Sequence, residues 1–112
     1  MQIEKFNIYQ KEAIKTIGKS KNSPEFIAYL GLGLNGEAGE VAEIIKKYLR
    51  DGTIIDKENI KKELGDVLWY VAATCEELGF TMQEVAEKNI SKLRARHGES
   101  YSGIGNRSGE GN

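Results

Sequence analysis

The sequence predicts an all-α protein, a bundle of four helices in one domain, on three observations. Apolar residues recur at helical spacing along nearly the whole chain. The residues that separate these stretches are helix starts and stops. No segment alternates apolar and polar residues as a half-buried strand does, and Thr53 to Ile55 is too short to matter. The chain has 112 residues, room for one domain. Its composition, 39% hydrophobic and 29% charged, supplies one compact core and is too apolar for a disordered chain.

The first helix is expected over 4–18, where Ile3, Phe6, Ile14 and Ile17 share helical spacing and Gly18 stops the run. A loop follows, from Lys19 to Asn22. The second helix is expected over 24–50. Ser23 is a good N-cap, Pro24 stands where its missing N–H costs nothing, and Asp51-Gly52 ends the helix. Gly31, Gly33 and Gly36 fall inside it and weaken it by roughly 1 kcal/mol each relative to Ala. They suggest a kink or tight packing near Gly33. The third helix, 57–79, begins at the cap Asp56 and closes on Gly79. The fourth, 81–97, begins with a capping box, Thr81-x-x-Glu84, and Phe80 with Val85 fits the accompanying hydrophobic staple. Helices two and three are expected to pack antiparallel about the loop at Gly52. Residues 98–112 form a tail rich in Gly, Ser and Asn, expected to be mobile or ordered by a ligand or partner.

Composition excludes several functions. Sixteen Lys+Arg against 17 Asp+Glu give a net charge of -1, so no nucleic-acid polymer is expected as a partner. One Cys and one His exclude a disulfide framework and a Cys/His zinc site. Cys75 lies in an apolar stretch and reads as a buried, reduced thiol. No signal peptide is visible, and the run Val67 to Ala73 is far short of the roughly 20 residues of a membrane helix. A cytoplasmic location with no membrane partner is the default expectation. The motif Gly31-x-Gly33-x-x-Gly36, with Asp56 beyond it, matches a dinucleotide-binding fingerprint. That fingerprint requires a strand before it, and here a Ser-Pro helix start precedes it instead.

Two acid pairs carry the chemistry: Glu37-Ala-Gly-Glu40 on helix two and Glu63-Leu-Gly-Asp66 on helix three. A spacing of three puts each pair on one helix face, able to grip an ion from one side. Both pairs adjoin the apolar stripes rather than oppose them, since Glu37 precedes Val41 and Asp66 precedes Tyr70 by one turn. They therefore point to the bundle interior or its rim. Uncompensated carboxylates there are costly, and a divalent cation is the usual compensation. Seventeen acids in 112 residues place about two or three such pairs by chance. Glu40/Glu43 and Glu84/Glu87 are further pairs, with Glu43, Glu84 and Glu87 read as solvated or helix-start charges. Four carboxylates without His suit Mg²⁺ or Mn²⁺ and exclude a Glu-x-x-His di-iron site. Mg²⁺ usually bridges carboxylates to phosphates, which makes a nucleotide or another pyrophosphate compound the natural substrate class.

These motifs, worded Gly-Glu-Ala-Gly-Glu-Val-Ala-Glu and Glu-Leu-Gly-Asp-Val-Leu-Trp-Tyr, resemble the MazG-like nucleotide pyrophosphohydrolases of the all-α NTP pyrophosphatase superfamily. Asn89-x-x-Lys92-Leu93-x-x-Arg96 continues the resemblance, which spans about residues 3 to 97. It implies a MazG-like domain over 1–97. It also implies Mg²⁺-dependent hydrolysis of a nucleoside triphosphate to a monophosphate and pyrophosphate, and a homodimer or dimer of dimers. Glu37, Glu40, Glu63 and Asp66 would hold the metal, and Glu40 would also orient or deprotonate the attacking water. Asn89, Lys92 and Arg96 would contact phosphates. Tyr70, one turn past Asp66, and its neighbour Trp69 are base-stacking candidates. Phe26 and Tyr29 read as core, with a base pocket as the lesser reading.

Leu30, Leu34, Trp69 and Ala73 are expected to have limited cover within one chain, so that a second copy completes the bundle. Two other readings compete: a non-catalytic helical interaction module with surface acids, and an enzyme like phosphoribosyl-ATP pyrophosphatase.

Overall fold

A computed structural model describes residues 4–17 and 23–98. The expected stop at Gly18, the loop from Lys19 to Asn22 and the tail from Glu99 onward lie outside the described residues. Among the described residues there are four helices: α1 Glu4–Ile14, α2 Pro24–Asp51, α3 Lys57–Leu78 and α4 Met82–His97. No strand occurs among the described residues, and the three glycines of the dinucleotide-like motif lie within α2.

The caps act as the sequence requires. Ser23 accepts from the Phe26 N–H with Pro24 in the first turn, and Gly52 closes α2 at φ 66, donating to the Tyr48 carbonyl. Asp56 accepts from the Asn59 N–H, and Gly79, at φ 84, donates to the carbonyls of Cys75 and Glu76. Both hydrogen bonds of the capping box form at Thr81 and Glu84. Positive φ at Gly52 and Gly79 is where a side chain would strain the backbone.

α1 is shorter than its apolar spacing suggests, ending at Ile14 rather than near residue 18. Local hydrogen bonding explains the difference. The Ala13 carbonyl accepts from the Thr16 N–H at 3.1 Å, from the Thr16 hydroxyl at 2.8 Å and from the Trp69 indole N–H at 3.1 Å. The Ile17 N–H turns to the Ile14 carbonyl instead. The last turn tightens, and α1 is tied to α3 at that point.

α2 packs most extensively on α3, and the pairing is antiparallel. Gly33 meets Tyr70, while Glu37, further along α2, meets Glu63 and Asp66, earlier on α3. α1 and the start of α4 lie against the other side of α3. The core there is built of small residues: Ala13, Ala72, Cys75 and Met82 are buried, with Phe6, Tyr9, Trp69 and Val71 packed on them. Leu30 and Ala73 are also buried within the chain, at 0% and 1% exposure, so the expectation that they lack cover is corrected. Leu30, on α2, is enclosed by its own chain. The exposed apolar residues are others, led by Leu32, Leu49 and Ile54 at 75%, 74% and 92%.

A polar clamp fixes α1 to the α3–α4 turn. The buried Gln10 donates to Glu76 Oε1 and to the Phe80 carbonyl, and accepts from the Met82 N–H at 2.7 Å. Beside it, Asn7 and Gln83 bond each other reciprocally. Replacing Gln10 by Leu leaves a buried helix-start N–H and a carbonyl without partners. Gln10→Leu should therefore cost about 2 kcal/mol, read as a lower urea midpoint with unchanged slope.

Candidate metal centre

Glu37 lies midway along α2, and Glu63 and Asp66 in the first half of α3. The antiparallel pairing brings them to one seam. One carboxylate oxygen from each lies within 4.8 Å of the others, with Glu37 and Glu63 half-buried and Asp66 exposed. Three acids this close repel one another. The Glu37 carboxyl is held above the usual range by partial burial, then by Asp66, then by a hydrogen bond to Glu63 and the charges of Glu63 and Glu40.

Tyr70 closes one end of this seam. Its ring lies where a side chain at Gly33 would otherwise stand, since a Cβ there would overlap the ring. Tight packing at Gly33 is thus the outcome of the two alternatives. The Tyr70 ring meets Tyr29 at 6.5 Å, and ionisation of Tyr70 is opposed first by the neighbouring Tyr29 phenol, then by burial, then by the charges of Tyr29, Glu37 and Asp66. The acids and the aromatic pair are neighbours.

The family model for the MazG nucleotide pyrophosphohydrolase domain matches residues 27–100. The chain belongs to this family. It is also 43% identical over 79 residues to the Gene 37 protein of Mycobacterium phage L5, covering 67% of this chain and 69% of that protein. No solved structure matches. No helix among the described residues is long and apolar enough to cross a membrane.

Within this MazG domain, the remaining expected site residues fall in different places. Glu40 is exposed and one turn beyond Glu37, outside the group of three. Trp69 turns away from the seam: its indole N–H donates to the Ala13 carbonyl and to Thr16 Oγ1 at 2.7 Å, joining α1 to α3. Its ring meets Tyr70 edge-on, with centroids 5.0 Å apart and planes at 85°. Asn89, Lys92 and Arg96 are exposed on α4, a helix that packs chiefly on α1. The other acids have local work. Glu43 pairs with Lys46 at 3.4 Å, Glu84 completes the capping box, and Glu87 accepts from Gln83.

Two residues of the site were not singled out for it by the sequence. Tyr9 on α1 packs on the core, and its phenol is held above its ordinary range by burial and then by the charge of Asp66. Nothing in the sequence says that the face of α1 carrying Tyr9 reaches Asp66. Tyr29 was read as core, with a base pocket as the lesser reading; it is more than half exposed and touches Tyr70.

The donor set decides what the MazG centre could hold. Its donors are carboxylate oxygens, and the thiol of Cys75 is buried elsewhere, pushed up by desolvation. Hard divalent ions fit such a set, soft ones do not. Mutual repulsion in the metal-free protein is the second indication of fit, because a cation relieves it.

The sign of the pH dependence follows. Glu37 binds its proton more tightly folded than unfolded, so its contribution to stability is present in full below the unfolded carboxylate range and is lost as pH rises through its raised folded value. Without metal, Glu37→Gln should match the wild type in melting temperature at acid pH. It should become the more stable of the two as pH rises to neutrality. Added Mg²⁺ should reverse that order, and calorimetry with and without chelator checks both.

Proposed function

We propose that the chain is a Mg²⁺-dependent nucleoside triphosphate pyrophosphohydrolase. It splits the bond between the α and β phosphates to give a nucleoside monophosphate and pyrophosphate. The observation that carries this reading is the meeting of Glu37, Glu63 and Asp66 oxygens within 4.8 Å on the α2–α3 seam of a MazG family domain. These three hold the ion, with Mn²⁺ as a substitute. Once bound, such an ion neutralises triphosphate charge, lowers the pKa of water and stabilises the departing pyrophosphate.

The chain's own residues do the rest. The three carboxylates come from two helices locked by packing, so the seam is arranged before substrate arrives. Glu40, exposed one turn from Glu37, orients the attacking water and takes its proton as the water oxygen bonds to the α phosphorus. The bond from that phosphorus to the bridging oxygen breaks, and the electron pair leaves on pyrophosphate. Asn89, Lys92 and Arg96 form one exposed polar and basic face of α4 suited to phosphate oxygens.

A homodimer completes the bundle in this reading. The radius of gyration is 16.7 Å, against about 13 Å for a compact domain of this size. The end of the α2–α3 hairpin forms an open groove of about 540 Å³ lined by Tyr48, Leu49, Ile54 and Ile55. So much uncovered apolar surface favours burial against a second copy. Light scattering at micromolar concentration should give at least twice the chain mass, and a monomer would remove this part of the reading.

The enzyme assay is a panel of ribo- and deoxynucleoside triphosphates and phosphoribosyl-ATP with Mg²⁺, scored for pyrophosphate release. Asp66→Asn and Glu63→Gln should each lower turnover by at least about a hundredfold, as loss of a charged metal ligand does, while circular dichroism stays helical. Glu40→Gln should lower kcat by about a hundredfold or more and leave Mg²⁺ binding in place. Glu84→Gln keeps the capping box and should leave turnover near the wild-type value. No release from any substrate by the wild type would leave a helical interaction module in place of an enzyme.

A further inference from the structure

The seam carries two kinds of rung in register. On α2, Tyr29, Gly33 and Glu37 follow one another at one-turn spacing, and on α3 so do Asp66 and Tyr70. Gly33 faces Tyr70, and Glu37 faces Asp66 and Glu63. From Glu37 to Tyr29 the rise along α2 is roughly 12 Å, the scale on which a nucleotide's base stands off from its phosphates.

The two tyrosines differ in what they have to offer. Tyr70 is half-buried, its ring tip over Gly33, tilted against Tyr29 and edge-on to Trp69. Tyr29 is 57% exposed. Phe26 lies nearly parallel to it, with ring centroids 6.0 Å apart and planes at 12°, and its contact with Tyr70 is tilted, at 6.5 Å and 54°. Tyr29 is therefore a propped ring with open surface, two turns along α2 from the three convergent carboxylates. An exposed aromatic held in this way is what base stacking uses.

Resting on the proposed function, we propose that Tyr29 stacks the nucleobase of the substrate, and that Tyr70, seated in the notch at Gly33, positions Tyr29 rather than touching the base itself. The notch has a physical reason. Ala is the better helix former, yet any Cβ at Gly33 displaces the Tyr70 ring and with it the prop under Tyr29.

The test is equilibrium binding to the full chain with Mg²⁺, by calorimetry, of two probes: an α,β-methylene nucleoside triphosphate, which resists cleavage, and inorganic pyrophosphate. Tyr29→Leu should weaken the nucleotide about tenfold or more and leave pyrophosphate affinity unchanged. Tyr29→Phe should bind the nucleotide better than Tyr29→Leu. Gly33→Ala, which must displace the Tyr70 ring, should also weaken the nucleotide more than pyrophosphate, while circular dichroism stays helical. Nucleotide affinity unchanged in Tyr29→Leu overturns the proposal, as does equal weakening of both probes. A Tyr29→Leu chain altered only in its mass by light scattering overturns it too, since Tyr29 would then belong to a contact between copies. If the wild type binds the nucleotide through Tyr29 but releases no pyrophosphate from any triphosphate, the stacking role stands and the hydrolytic reading falls. If it binds neither probe, both fall.

Discussion

The close antiparallel seam between α2 and α3 is the constraint on which the rest depends. It exists because Gly33 has no side chain where the Tyr70 ring lies and because Leu30 is fully enclosed one turn earlier. The same approach that buries these residues forces Glu37 against Glu63 and Asp66. The apolar contacts must therefore hold together what the carboxylates push apart. A seam so balanced is rigid in geometry and frustrated in charge, and a cation resolves that conflict where a rearrangement of helices would cost the packing.

The other side of α3 supplies the rigidity. Its core is made of alanines, a cysteine and a methionine, which let α1 approach closely but bury little area each. Directional hydrogen bonds make up for this. Gln10 spans three partners at the α3–α4 turn, and Trp69 joins the end of α1 to the middle of α3. Trp69 and Tyr70 are adjacent in sequence, so one anchors α3 to α1 and the other packs it on α2. Tyr9, sensing Asp66 from α1, shows that the acid seam and this core share the same helix.

Helix ends were legible in the sequence because caps are local: Ser23, Asp56, Thr81 and the glycines at 52 and 79 each act on residues within one turn. The acid motifs were legible because spacing fixes which side chains share a face. Spacing does not say which neighbour that face meets. Glu37 and Glu40 share a face of α2, but only Glu37 falls among the convergent oxygens, because residues three apart differ by about 60° around the helix axis. Leu30 and Leu32 look alike in sequence, and the first is enclosed while the second is exposed. The shortened α1 depended on an indole from a residue far along the chain. In each case the missing information was tertiary.

The exposed apolar residues of α3 bear on the chemistry as well as on assembly. Leu64 and Leu68 follow Glu63 and alternate with Asp66 along the same stretch, and both are exposed. On a helix this apolar strip adjoins Glu63, about 100° away, and lies nearly opposite Asp66. A second copy laid over that strip would remove water from one flank of the carboxylates while leaving the exposed Asp66 side open to substrate. Lower local polarity strengthens attraction between the acids and a cation, and also the repulsion when the cation is absent. Assembly and metal binding would then reinforce each other: the cation makes it less costly to bury the seam, and burial makes the cation harder to lose. On the proposed reading the lone protomer would hold the acids in place but bind metal less tightly than an assembled one, and the thin core of the single chain would be the counterpart of a site finished by its neighbour.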